Sequence, residues 1–350
     1  MIKFKIEQQK FVELVSLYQQ RKLNLNPPYQ RNSIWSINAQ KLLIDTIRKG
    51  LPLPTFFVQK KNDIIEMVDG QQRTRTFISY LSPDGFLDSN GKQYSVGEFD
   101  DYEIAVVELS ETLTMDEVRE FYVRVNRAGA KLERPELNKA EFFKTKFLKL
   151  STELSEMVEF RQLKVFKSSH IRRMFDRDFI EELAALILYG PQDKKTMVDQ
   201  MYKEDISDND VNKINTTFKS VLDKVSILNQ EIPLSDTRFV QKNDFYTLFN
   251  LIIEITLLEN DDLKKIYKVL VAISRGISPS NDECQTLKDY AINCVTQSNS
   301  KRARNKRLEI LKSLLLNESS KMNSPQVDVA TFFKLPNELQ HIGTYFTFNV

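Results

Sequence analysis

Apolar residues recur three and four positions apart along most of this chain, and short apolar runs of strand type are confined to roughly its first 145 residues. A first helix is expected over Glu7–Gln20, where Phe11, Leu14, Val15 and Tyr18 share a face. Pro27 and Pro28 then force extended backbone. Ser36 caps a second helix with Ala39, Leu42, Leu43 and Ile47 as its apolar face; Gly50 ends it, and Pro52 and Pro54 follow. Strands are expected at Thr55–Gln59, Ile64–Val68 and Tyr102–Leu109. Thr114 caps a helix that runs through Val125 and stops near Gly129, and Pro135 opens the next one.

Beyond residue 146 or so the pattern is helical, with segments near 151–160, 170–188, 194–203, 210–229, 240–258, 261–275, 282–296 and 301–317. Their connections are short and polar, as in a bundle. The tail from Ser319 is weakly patterned until Thr344–Val350, which either adds a strand or stays loose. The expectation is an α+β protein: a mixed domain over 1–145, a helical domain over 146–318 and a tail over 319–350.

Fifty basic and 48 acidic side chains leave a net charge of only +2 in 350 residues, so a nucleic-acid surface must be a local patch. The charged N-terminus has no signal-peptide core, and the apolar stretch Phe245–Leu258 contains Asn250 and Glu254 and is too short to span a bilayer. A cytoplasmic protein that does not enter a membrane is expected. Cys284 and Cys294 lack zinc or redox spacing and read as packed or free thiols. His170 and His341 are the only histidines, which argues against His/Cys metal centres and His-Asn-His nuclease chemistry. Gly85–Lys92 is not a Walker A loop, because its glycine spacing is too long and Gln93 replaces the Mg²⁺-binding hydroxyl; Asn90-Gly91 reads as a hairpin turn.

The most informative stretch is Ile64-Ile-Glu-Met-Val-Asp-Gly-Gln-Gln-Arg73, read as strand, tight turn and helix. A helix start after a strand offers unpaired N–H groups and a positive dipole end, which suit a phosphate. Gly70 permits close approach, and Arg73 has the reach for a two-pronged phosphate contact. Asp69 either caps the helix or holds a Mg²⁺ that bridges to phosphate. Pro28-Tyr29-Gln30-Arg31 with Trp35 can stack on and hydrogen-bond a base or phosphate, or can simply pack the domain. Val125-Asn126-Arg127-Ala-Gly129 is either a helix stop or a ligand contact. Lys301, Arg302, Arg304, Lys306 and Arg307 put five positive charges in seven residues at a helix start, where they oppose the dipole and suggest a DNA backbone. A second basic run holds Arg161, Lys164, Lys167, Arg172, Arg173 and Arg177; both runs have a solvated, salt-bridged face as the alternative.

Together these motifs resemble the N-terminal domain family of GmrSD-type restriction endonucleases. The resemblance rests on Pro28-Tyr-Gln-Arg31 with Trp35, on Leu43–Ile47 with Gly50 and Pro52-Leu-Pro54, on Val68-Asp-Gly-Gln-Gln-Arg73, and on Phe121–Leu137, over about residues 10–145. It implies a ParB/sulfiredoxin-like fold and a module that binds or hydrolyses an NTP in defence against foreign DNA. By the same resemblance, Asp69, Gly70, Gln71, Gln72 and Arg73 are the nucleotide site, with Mg²⁺ at Asp69 and an attacking water oriented by Gln71 or Gln72. Tyr29, Gln30, Arg31, Asn126 and Arg127 would complete it. Family enzymes often add a His-Asn-His nuclease that this sequence does not supply, so either a separate partner nuclease supplies the cutting or the chain signals by another route. The alternative is a non-catalytic DNA-binding sensor or scaffold.

Overall fold

The computed structural model describes residues 3–28, 35–110, 113–128 and 133–350. The chain divides into two compact units, residues 1–143 with 172–174, and residues 144–171 with 175–350.

The first unit is built from β1 (Phe4–Lys10), α1 (Phe11–Gln19), β2 (Leu23–Asn24), α2 (Ile37–Arg48), β3 (Phe56–Lys61), β4 (Ile64–Asp69), α3 (Gln71–Leu81), β5 (Glu103–Leu109), α4 (Met115–Ala128) and α5 (Arg134–Phe142). The strands form one mixed sheet in the order β1-β5-β3-β4-β2. β1 and β5 are antiparallel, β5 and β3 parallel, β3 and β4 antiparallel, and β4 and β2 parallel. The central strands are buried on both faces, so they read as apolar runs rather than as strict alternation. Phe56, Val58, Met67 and Val106 join α1, α2 and α3 in one core, while Val68, Val107 and Leu109 join Val118, Tyr122 and Ala140 of α4 and α5 in another.

The first helix is shorter than its pattern suggested. Glu7–Lys10 belongs to β1, where Glu7 faces Val106 and Lys10 faces Glu103 across the ladder. A distant strand satisfies that backbone, and no local pattern records it. In α2 the Ser36 hydroxyl accepts from the Ala39 N–H at 3.3 Å, as the capping rule requires. Its buried positions are Leu43, Ile44 and Ile47, while Leu42 points outward. Thr114 and Glu117 form the expected cap of α4. The turn at Asn90-Gly91 is held by Asp88, whose Oδ1 accepts from the Asn90 and Lys92 N–H groups, but no strands flank it.

The second unit comprises α6 (Lys146–Glu156), α7 (Val158–Gln162), α8 (Ser168–Arg172), α9 (Phe175–Tyr189), α10 (Thr196–Glu204), α11 (Asp208–Glu231), α12 (Lys242–Glu254), α13 (Asn260–Ser274), α14 (Gln285–Val295), α15 (Lys301–Leu315), α16 (Ser324–Phe333), and the hairpin β6 (Leu339–Ile342) with β7 (Tyr345–Phe348); of α8, only Ser168–Ile171 cluster with this unit. The segment after Ser319 is therefore not a loose tail, and the unit is not all helical. The buried Gln326 side chain donates to the carbonyls of Leu314 and Phe346, and Thr347 donates to Leu314, which stitches α16 and the hairpin onto α15. No described helix is long and apolar enough to cross a membrane.

One close approach in the first unit sets the entry to α3. Gly70 sits at φ +110°, and a Cβ added there would lie 2.4 Å from Cδ1 of Phe56. Gly70→Ala is expected to destabilise this unit by about 2–4 kcal/mol through overpacking and left-handed strain. Urea unfolding followed by the fluorescence of Trp35, the sole tryptophan, reads this out; an unchanged midpoint would contradict the packing account.

Candidate functional site

β4 ends at Asp69, Gly70 turns the chain in the left-handed region, and α3 begins at Gln71. The strand–turn–helix expected from the sequence is present, but its side chains are used differently. Gly70 is the N-cap and supplies no side-chain cap. Asp69 does not cap the helix: its Oδ2 accepts from Arg73 Nη2 at 3.0 Å. Arg73 also donates to the carbonyls of Pro54 and of Thr55, the latter at 3.1 Å, and its guanidinium lies 4.2 Å from the centre of the Phe56 ring. Burial lowers the pKa of Arg73, and Asp69 offsets part of that shift. The expectation that Arg73 reaches out to a phosphate is therefore corrected. It braces the entry of β3 against the exit of β4, because a guanidinium with only 10% of its side chain exposed must find its acceptors inside.

A cavity of about 80 Å³ nevertheless opens at the turn, lined by Trp35, Asp69, Gly70, Gln71, Gln72, Arg73 and Tyr122. That is the space of a phosphate-sized group rather than of a whole nucleotide, since ligand pockets run to several hundred Å³. The opening turn of α3 contributes N–H groups that no preceding helical turn can satisfy. Gln71 is fixed by donation from Nε2 to the Met67 carbonyl at 2.6 Å. Gln72 is buried and lines the same cavity. Five sequence-nominated residues, Asp69 to Arg73, are thus brought together.

Tyr29, Gln30 and Arg31 lie outside the described residues. Asn126 and Arg127 fall within α4, with their side chains outside the description. Sequence reasoning passed over Tyr122, a buried residue of α4, although it lies inside the Phe121–Leu137 stretch and one helical turn before Asn126. As a Mg²⁺ site the arrangement does not fit. Among the described residues, Asp69 is the one carboxylate lining the cavity and is already paired with Arg73, and no group of three metal-capable side chains is found.

The basic stretch at the start of α15 is divided by burial. Lys301, Arg302 and Lys306 are exposed, whereas Arg304 and Arg307 are 3% and 0% exposed. Arg304 pairs with Glu182 and stacks on Tyr246 at 4.2 Å. Arg307 donates to Thr247 Oγ1 at 2.9 Å and to the carbonyls of Asn293 and Ser298. Both are withdrawn as DNA contacts, because helical periodicity turns them into the bundle. In the second basic run, Arg177 is buried against Glu181 and Arg173 pairs with Glu133 at 2.9 Å.

Residues 13–100 match the family described as GmrSD restriction endonuclease, N-terminal domain. The match falls within the first unit, over a shorter span than the motifs suggested, and it includes Trp35, the Gly70 turn and α3. A comparison with curated proteins returned no match, and neither did a comparison with solved structures.

Glu182 offers a pH test of the buried cluster that removes Arg304 from the surface. Burial raises its pKa, but Lys195, Lys242 and Arg304 outweigh that effect and bring it from 4.5 down to about 2. The depressed value means that its contribution is complete above pH 4.5 and is lost as the pH falls toward 2. The magnitude is about 3 kcal/mol, from about 1.4 kcal/mol per unit. Urea unfolding of the parent and of Glu182→Gln by circular dichroism should show the parent's advantage shrinking across that window. A gap independent of pH would remove the cluster from this account.

Proposed function

We propose that the chain is a nucleotide-binding module of a restriction-type, DNA-directed defence system and acts with a separate nuclease. The observation that supports this is the Gly70 turn, which opens α3 onto a cavity within a matched GmrSD-type domain. The NTP phosphates would rest on the N–H groups of the first turn of α3, where the helix dipole favours negative charge. Trp35 and Tyr122 provide aromatic walls. Tyr29, Gln30, Arg31, Asn126 and Arg127 complete the site in this reading, with Arg31 in the cationic role that Arg73 is too engaged to fill. Gln72, which lines the cavity, would orient a water for hydrolysis. Lys301, Arg302 and Lys306 are the remaining DNA contacts on α15. On the order of its motifs, we assign the mixed sheet of the first unit to the ParB/sulfiredoxin-like group.

A binding module without chemistry is the second reading. It is favoured by Asp69, Gln71 and Arg73 being held in structural hydrogen bonds.

Calorimetry, Trp35 fluorescence and phosphate release should be followed for the full chain with each NTP and Mg²⁺, with and without DNA. One nucleotide is expected to bind and to change the Trp35 emission. Gln72→Ala should lower turnover by about a hundredfold, the scale for losing one oriented polar group. Binding without release selects the second reading. Absence of both heat and fluorescence change with every nucleotide would sink the module as a nucleotide site.

A further inference from the structure

We propose that a groove in the second unit binds single-stranded nucleic acid, with a nucleobase against an aromatic corner and adjacent phosphates on two lysines. The groove encloses about 530 Å³ and is lined by Phe166, His170 and Phe175 together with Lys164, Lys167 and Lys242. Such a volume is within the range of small-ligand sites and accommodates a nucleotide.

The three rings are arranged as a corner. His170 stands 6.5 Å from Phe166 with planes at 77°, and 6.0 Å from Phe175 with planes at 89°. Phe166 is backed by the core rings of Phe179, at 5.6 Å, and Phe160, at 6.4 Å. A platform anchored this way costs little entropy when a base stacks on it. His170 is exposed, while Phe166 and Phe175 are half-buried at the groove wall.

Charge selects the guest. No described carboxylate lines the groove. Lys242 is answered internally by Glu182 at 2.7 Å. Lys164 and Lys167 are exposed, are bridged to no described carboxylate, and bracket Phe166 in the chain. An aromatic corner alone also suits a quaternary ammonium, but two free ammonium groups repel a cation. A neutral apolar ligand would leave the lysines unused. A strand of unpaired bases answers both features, since every base has a face to stack and every linkage a negative charge. In a duplex the faces are already stacked and unavailable. The site lies apart from the Gly70 turn in sequence and stands whether or not that turn binds nucleotide. It also takes up Lys164 and Lys167, two of the four residues of the second basic run that folding leaves exposed.

Fluorescence anisotropy of a labelled short oligothymidylate with the full chain, at several salt concentrations, tests the proposal. Parallel arms use an abasic strand of equal length, a duplex and the corresponding ribo strand. Binding is expected to weaken with salt. The double variant Lys164→Ala/Lys167→Ala should reduce the salt slope by roughly 1.4, at about 0.7 per phosphate contact on single strands. His170→Ala should weaken binding by about tenfold at fixed salt, the scale of one lost stacking contact. Both substitutions are at exposed positions, and an unchanged thermal midpoint confirms the fold. Equal or tighter binding of the ribo strand upholds the groove and identifies RNA as the source of the ligand. Equal binding of the abasic strand, preference for the duplex, no binding of any strand, or indifference to the lysine variant would overturn it.

Discussion

Removing a guanidinium from water is costly enough that its charge and most of its donors are met inside the protein, and much of this structure is arranged around that requirement. Arg73, Arg177, Arg304 and Arg307 are all buried. Arg73, Arg304 and Arg307 are matched to carboxylates, carbonyls or hydroxyls on other segments, and Arg177 to Glu181 one turn along the same helix. Arg73 ties the loop before β3 to the end of β4, so the turn that opens α3 is fixed before any ligand arrives. Arg304 converges with Lys195 and Lys242 on Glu182, joining α9, α12 and α15 with the start of α10.

That requirement changes the chemistry available at the Gly70 turn. With Asp69 and Arg73 engaged with each other, and Gln71 with Met67, the turn offers a ligand chiefly its main chain, in a cavity that Gln72, Trp35 and Tyr122 also line. Gly70 owes its identity to two constraints at once. Its φ of +110° favours glycine, and the Phe56 ring occupies the place of a Cβ. The packing of Phe56 beneath the turn and the stacking of Arg73 on the same ring make the strand exit, the glycine and the guanidinium one interdependent piece.

In the second unit the same rule sorts charges that look equivalent in the chain. Helical periodicity points Arg304 and Arg307 inward and Lys301, Arg302 and Lys306 outward. Along the other basic run, Arg177 falls inside α9, while Lys164 and Lys167 lie in the loop before α8 beside half-buried rings. Runs of basic residues therefore mark places where folding chooses which cations remain for a partner.

The sequence by itself determined what depends on neighbours in the chain. The Ser36 and Thr114 caps, the strand–glycine–helix turn and most helical segments of the second unit were legible because capping and periodicity are local. The family resemblance was legible because its motifs occur in order, and it is matched over residues 13–100. Only the tertiary structure decided what depends on distant partners. Glu7–Lys10 became strand because β5 lay ready to pair with it, and the last thirty or so residues joined α15 through Gln326 and Thr347. Arg73, Arg304 and Arg307 became braces because their acceptors come from elsewhere in the chain. Tyr122 reached the turn from a helix some fifty residues onward. A charge in a sequence has no partner until folding assigns one, and the cost of leaving it without one decides where it goes.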